Sequence, residues 1–208
     1  MSSPPYKSFA IVGAAGRIGK HIFAALHEQT TTSDILVITR TSSSSADTIL
    51  SSPKVKIAKV EDYKNVQVVA AILRAHHIEV FISAANWQTE EGTYTEETAL
   101  VDAAHAAGVK LFVPSEFGAP TLDAPTGLFK AKDDVAKHMK EIGLPSARFF
   151  TGQFFSWIPI ALGYPSTGKI NLVVGTGNTP GSFTADEDVG VGFVAHVLVT
   201  LPPSELND

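Results

Sequence analysis

In six places the chain gathers apolar, β-branched and aromatic residues into runs of five or six, at Ser8–Val12, Ile35–Thr39, Val55–Val60, Val80–Ala84, Lys110–Pro114 and Ala147–Thr151. Most of these runs are continuously apolar rather than alternating, the pattern of strands buried on both faces. Between them, Arg17–Glu28, Asn65–Ala75, Thr95–Ala107 and Ala131–Glu141 repeat apolar residues at i, i+3 and i+4, which predicts helices laid on a sheet. Strand and helix alternate, so the expected fold is α/β, a Rossmann-type doubly wound parallel sheet. Gly108 and Gly143 stand just past two of these helices, where a left-handed cap is wanted.

After Gln153 the rhythm loosens. The segment YPSTGKINLVVGTGNTPGSFTADEDVG is rich in Gly and Pro around one strand-like run, INLVV, and a last helix is expected from about Glu187 to Thr200. This divides the chain into a portion of alternating strands and helices, residues 1–152, and a looser portion, residues 153–208, packed on it.

Composition narrows the function. A net charge of −5 with no basic run argues against nucleic-acid binding, which needs clustered Lys and Arg to displace counterions. There is no cysteine, hence no disulfide, zinc thiolate or thiol nucleophile, and this fits a cytoplasmic setting. The longest apolar stretch, VGVGFVAHVLVTLP, is shorter than the roughly 20 residues a bilayer requires. The seven histidines are scattered without metal-ligand spacing, so no metal site is expected.

The strongest chemical signal is FAIVGAAGRIGKHIF. Gly13, Gly16 and Gly19 form G-x-x-G-x-x-G between a predicted strand and a predicted helix. Such glycines permit a tight turn, close strand–helix packing and close approach of backbone to a pyrophosphate, which the helix N-terminus then attracts. Arg17 and Ile18 belong to the same loop.

About twenty residues on, a site for NAD would place an acid against the ribose 2′-hydroxyl. Here the strand ends Thr39–Arg40. Arginine pairs with a 2′-phosphate that a carboxylate would repel, which favours NADPH. Arg17, inside the glycine loop, could close over the same phosphate from the other side, and Thr41–Ser45 could add hydroxyl donors. Arg40 could equally be a solvated strand-end charge and the serines a loop. Asp62, after the third strand, has two roles open to it: facing the adenine, or capping the helix that begins near Asn65.

At VFISAAN, LFVPSEFG and the stretch from Phe129 to Phe155, the chain resembles the NmrA-like and isoflavone-reductase-like branch of the atypical short-chain dehydrogenases. The glycine loop, the strand-ending arginine, PSEFG, a lysine in the following helix, GLP and DVG occur in that family's order. The resemblance implies a Rossmann domain binding NADPH, and a reductase acting on small aromatic or enone-type molecules. Its lysine lies eleven residues before the glycine of the GLP turn, which assigns Lys132 as catalytic residue and cofactor anchor, with Lys130 as competitor. Read without the family, Lys132 would be an ordinary solvent-facing helix lysine. A lysine beside the nicotinamide ribose can hold its hydroxyls and donate or relay a proton.

The family plan further places Ser83, Ala84 and Ala85 along the adenosine and ribose, and Phe117 and Phe154 beside the nicotinamide. Ser115 and Glu116 are open to two roles, orienting a ligand or building the turn. The Tyr-x-x-x-Lys pair of typical short-chain dehydrogenases is absent, because Leu128 stands four residues before Lys132. Resembled proteins continue well past LPPSELND, so a shallow or incomplete wall over the substrate is expected. A small-molecule substrate is the expected partner, with a homodimer open. The branch also contains NADP-sensing regulators without turnover, and that reading stands as the alternative, as does an inactive or cofactor-independent cleft.

Overall fold

A computed structural model describes residues 6–44, 48–86, 89–169 and 181–206. Five parallel strands form the central sheet: β1 (Ser8–Val12), β2 (Asp34–Arg40), β3 (Val55–Val60), β4 (Val80–Ser83) and β5 (Leu111–Val113), in the order β3-β2-β1-β4-β5. Side chains alternate between two cores, as a period of two requires. Phe9, Ile11, Val37 and Ile82 face one side, while Ala10, Val12, Ile38 and Phe81 face the other. Because each face is covered, both sets are apolar and the runs read as unbroken. Strand β3 is the edge, and its residues from Val55 to Lys59 are partly or fully exposed.

Helices α2 (Val66–Ala75), α3 (Glu90–Ala107) and α4 (Gly127–Glu141) cover one face. The other is covered by α1 (Gly19–Glu28) and by a terminal helix, which runs as α-helix over Asp186–Asp188, widens to π over Val189–Ala195 and returns to α over His196–Thr200. This terminal helix lies closely on α1: a Cβ at Gly190 would sit 2.2 Å from the carbonyl oxygen of His21. The glycine of DVG therefore marks a backbone contact that no side chain can enter.

Helix ends follow local chemistry. Helix α3 starts five residues before the predicted Thr95, because the Thr89 hydroxyl accepts the Gly92 N–H at 3.0 Å and Glu90 and Glu91 complement the helix dipole. It stops at Gly108, which takes the left-handed conformation (φ 73°). Gly143, one residue beyond the cap of α4, is also left-handed at φ 70°. Helix α2 is capped by Asn65, whose side chain accepts the Val68 N–H at 3.3 Å, and not by Asp62, which accepts the Lys64 N–H at 2.9 Å.

The sixth strand expected over Ala147–Thr151 does not form. Only Ser146 bridges to Phe112, between the hydrogen bonds Phe112 N–H to Pro145 O (2.9 Å) and Ala147 N–H to Phe112 O (3.0 Å). The reason lies in the neighbour: β5 ends at Val113, and Pro114 has no N–H to extend a ladder. The chain turns instead at Gly152 (φ 71°) into a two-stranded parallel ribbon, β6 (Gln153–Phe154) with β7 (Phe183–Thr184). Two short helical turns follow β6, α5 (Ile158–Ala161) and α6 (Tyr164–Thr167). INLVV, Gly175, Gly177 and Pro180 lie outside the described residues, as does Ser45. Among the described residues no helix is long and apolar enough to cross a membrane, and no group of three His, Asp or Glu could hold a metal ion.

Candidate functional site

The strand order reverses between β1 and β4, and there the carboxyl ends of the strands diverge into a crevice, the usual ligand position of an open α/β sheet. Two cavities occupy it, of about 380 and 360 Å³. They meet over Gly13, Ala85 and Asn86, which line both. One runs outward over the end of β2 to Arg40, Ser43, Tyr63 and Glu96. The other runs over Gly16, Arg17 and Ile18 to Ser115, Phe117, Lys132, Phe154 and Trp157.

The glycine loop joins them. Gly13 adopts φ 79°, and a Cβ there would meet the Ala84 carbonyl at 2.5 Å, so this glycine lets β1 turn directly beneath the end of β4. A Cβ on Gly19 would fall 2.0 Å from the Gly13 carbonyl oxygen. Gly19 is thus a packing glycine, buried at the start of α1 rather than part of the cavity wall. Gly16, by contrast, lines the crevice. No side chain caps α1 at Ile18, and the Lys20 and His21 N–H groups donate to the Gly16 and Ile18 carbonyls at 3.0 Å, so what the helix start offers an anion is the positive end of its dipole.

At the β2 end, Arg40 is tied from two sides. Its guanidinium lies 4.8 Å from the centroid of the Tyr63 ring and pairs with the Glu96 carboxylate. Asp62 lines neither cavity; its neighbour Tyr63 does. Nor does Arg17 join Arg40. It lies in the other cavity, donating to Ser156 Oγ at 2.8 Å, 3.8 Å from Asp186, with its guanidinium 4.9 Å from the Phe154 ring and 5.2 Å from that of Trp157. Its aromatic and acidic neighbours hold it toward the C-terminal segment, in a different cavity from Arg40.

Around the half-buried Lys132 the chain buries two carboxyl groups. The lysine, on α4, lines both the 360 Å³ cavity and a small one of about 10 Å³ that it shares with Thr93, Glu97 and Glu116. Glu97, on α3, is 3% exposed and ties two strand ends: the Ser83 hydroxyl donates to it at 2.8 Å and the Ser115 N–H at 2.9 Å. Glu116, 2% exposed, accepts the Thr121 hydroxyl at 3.2 Å. Burial pushes the Lys132 ammonium below its ordinary pKa of 10.5, while the Glu116 and Glu97 carboxylates pull it back up. Burial likewise holds the Glu116 carboxyl above 4.5, against the charge of Lys132, the Thr121 hydroxyl and the charge of Arg148. Lys130 turns outward to pair with Asp134 and lines none of these cavities.

Of the residues marked by the sequence, the structure therefore brings together Gly13, Gly16, Arg17, Ile18, Ala84, Ala85, Phe117, Lys132 and Phe154 in one connected crevice, with Arg40 at its far end. Ser83 faces inward to Glu97 instead of lining it. Glu96, Glu97, Tyr63 and Trp157 carry no motif. Glu97 alone had a signal, since it falls on the buried stripe of α3 with Thr93, Leu100, Val101 and Ala104.

A two-lobed crevice astride a glycine loop, at the reversal point of a parallel sheet, is the architecture of the dinucleotide-binding Rossmann class. The chain belongs to the NmrA-like family, whose model matches residues 5–197. It is 28% identical to oxidoreductase BOA1 of Botryotinia fuckeliana over 89% of this chain and 65% of that protein. It is 32% identical to asnovolin J 5′,6′-dehydrogenase of Aspergillus novofumigatus over 95% of this chain and 61% of that protein. Its fold matches the leucoanthocyanidin reductase of Vitis vinifera, solved as a binary complex with NADPH, at a TM-score of 0.64 and 22% identity, covering 88% of this chain and 62% of that one. The chain spans 61–65% of the length of the curated relatives it matches.

Proposed function

We propose that the protein is an NADPH-dependent reductase of a small aromatic or enone-type molecule. The observation that carries this is the crevice itself, with an arginine at the end of β2 and a half-buried, charge-compensated lysine at the opposite end of two cavities that share lining residues. The residues fit a dinucleotide. Gly13 and Gly16 admit backbone-close approach of a pyrophosphate, the positive end of the α1 dipole answers its charge, and Arg40 supplies a cation for a 2′-phosphate.

Bound NADPH would supply the hydride from its nicotinamide. The chain supplies the rest. Phe117, Phe154 and Trp157 give the second cavity apolar walls that keep water from the reacting carbon and accept an aromatic ring. Lys132 holds a proton at Nζ and gives it to the carbon or oxygen that becomes electron-rich on reduction. Its burial makes that proton easier to release than from a solvated lysine, and Glu116 and Glu97 keep the ammonium populated beforehand.

Thermal shift with NADPH and NADH tests the cofactor: NADPH should stabilise the protein more, and Arg40→Asp should abolish the difference. Equal shifts for both in the unaltered protein would refute the assignment. For catalysis, Lys132→Ala should abolish NADPH oxidation with a panel of aromatic enones while leaving NADPH binding within about threefold. Tight NADPH binding without turnover of any panel member would replace this reading with that of an NADP sensor.

A further inference from the structure

The adenosine end of the crevice carries a charge that works against its arginine. Among the described residues lining that cavity, Arg40 is the only cation and Glu96 the only anion, and the two are paired. The pairing is built from both sides. Tyr63, buried and donating its hydroxyl to the Ile38 carbonyl at 3.4 Å, gives the guanidinium a fixed platform, and α3 presents Glu96 two turns from its Thr89 cap. Both side chains are partly exposed, 39% for Arg40 and 22% for Glu96, so the pair can be broken by a ligand.

A 2′-phosphate brings about two negative charges to this point. It meets an arginine that already donates from one nitrogen to a carboxylate of the phosphate's own sign. An unphosphorylated ribose meets no such opposition, and its 2′-hydroxyl can donate to Glu96. We propose that Glu96 is a specificity-determining residue that holds the selectivity for 2′-phosphorylated adenosine below what Arg40 alone would give, so that the site accepts both forms of the dinucleotide. This rests on the reading of the crevice as a dinucleotide site, but not on turnover.

The test is calorimetric titration with 2′,5′-ADP and 5′-AMP, in the unaltered protein and in Glu96→Gln and Glu96→Ala, with melting temperature as the check on folding. Both variants should bind 2′,5′-ADP about three- to tenfold more tightly and 5′-AMP within about twofold of the unaltered protein. An unchanged ratio overturns the proposal. So does a lowered ratio, which would assign Glu96 to orienting Arg40 for the phosphate, and so does failure of all three proteins to bind 2′,5′-ADP. Absence of NADPH oxidation would sink the reductase reading and leave this ratio untouched, which keeps the two failures distinct.

Discussion

Replacing Glu97 with alanine removes the acceptor that joins the ends of β4 and β5 to α3. Two hydrogen bonds are lost, from the Ser83 hydroxyl and the Ser115 N–H, at 2.8 and 2.9 Å. Bonds to an ionised acceptor contribute about 1.5–3 kcal/mol each, and the half-buried Ser115 amide would be left without this partner. Against this stands the cost of burying the carboxylate, several kcal/mol, which the variant recovers. Removing one member of a buried charged cluster nonetheless costs about 3–5 kcal/mol, because Lys132 and the amide stay in place. A net loss of about 3 kcal/mol corresponds to a fall of about 6–12 °C in melting temperature for a chain of this size. Circular dichroism melts at neutral pH measure it directly. Glu97→Gln, which keeps an acceptor for the Ser115 N–H, should lose less than half as much. Should alanine prove as stable as glutamine, the hydrogen bonds of Glu97 would be shown to count for little and the reasoning would fail.

Gly190→Ala should destabilise the protein by about 2–3 kcal/mol, since its Cβ would press on the His21 backbone, whereas Gly192→Ala, which meets nothing within 4 Å, should be neutral or slightly stabilising. Hydrogen exchange over Val189–Thr200 would report the difference, and equal protection in the two variants would contradict the close helix contact. Glu79 offers a pH test. Burial raises its carboxyl, but Lys110 and the amides of Lys7 and Ser8 outweigh burial and hold it below 4.5. With the folded pKa below the unfolded one, its stabilisation is complete above pH 4.5 and is lost as pH falls through the folded value; Glu79→Gln should flatten the urea midpoint across that acid range. Arg17→Ala should cost about 1 kcal/mol through its lost ring contacts and quicken proteolysis within Phe155–Lys169, with no change in cleavage counting against the anchoring role.

Much of the sheet was legible because burial on both faces leaves no polar position inside a strand: FAIV, ILVI and VFI each serve two cores with alternate residues. Where the pattern misled, a partner was the missing quantity. ARFFT reads as a strand, yet β5 has no donor beyond Val113 to pair with it. The start of α3 was hidden for a different reason. TEEGTYTEE contains almost nothing apolar, and what launches the helix is the Thr89 cap with two acids behind it. Within the site, the glycine loop and Lys132 could be marked by residue type and spacing, but the direction in which Arg17 turns could not, because Ser156, Asp186 and Trp157 come from far along the chain. Glu96 is indistinguishable in sequence from a solvated helix acid, and only its position opposite the end of β2 gives it meaning.

The pairing of the first helix with the last has a kinetic consequence. One face of the sheet receives its cover from α2, α3 and α4, all complete once Glu141 has been made. The face carrying Phe9, Ile11, Val37 and Ile82 shares its core with Val194, Leu198 and Val199, which are synthesised far later. During vectorial synthesis the part of that face that meets Val194, Leu198 and Val199 stays open until the terminal helix is made, an interval in which exposed apolar surface invites association with other chains. Contacts closing across such a sequence separation are also slow to form. The two sides of one sheet therefore mature at different times, and the side that holds the glycine loop and its helix is the later of the two.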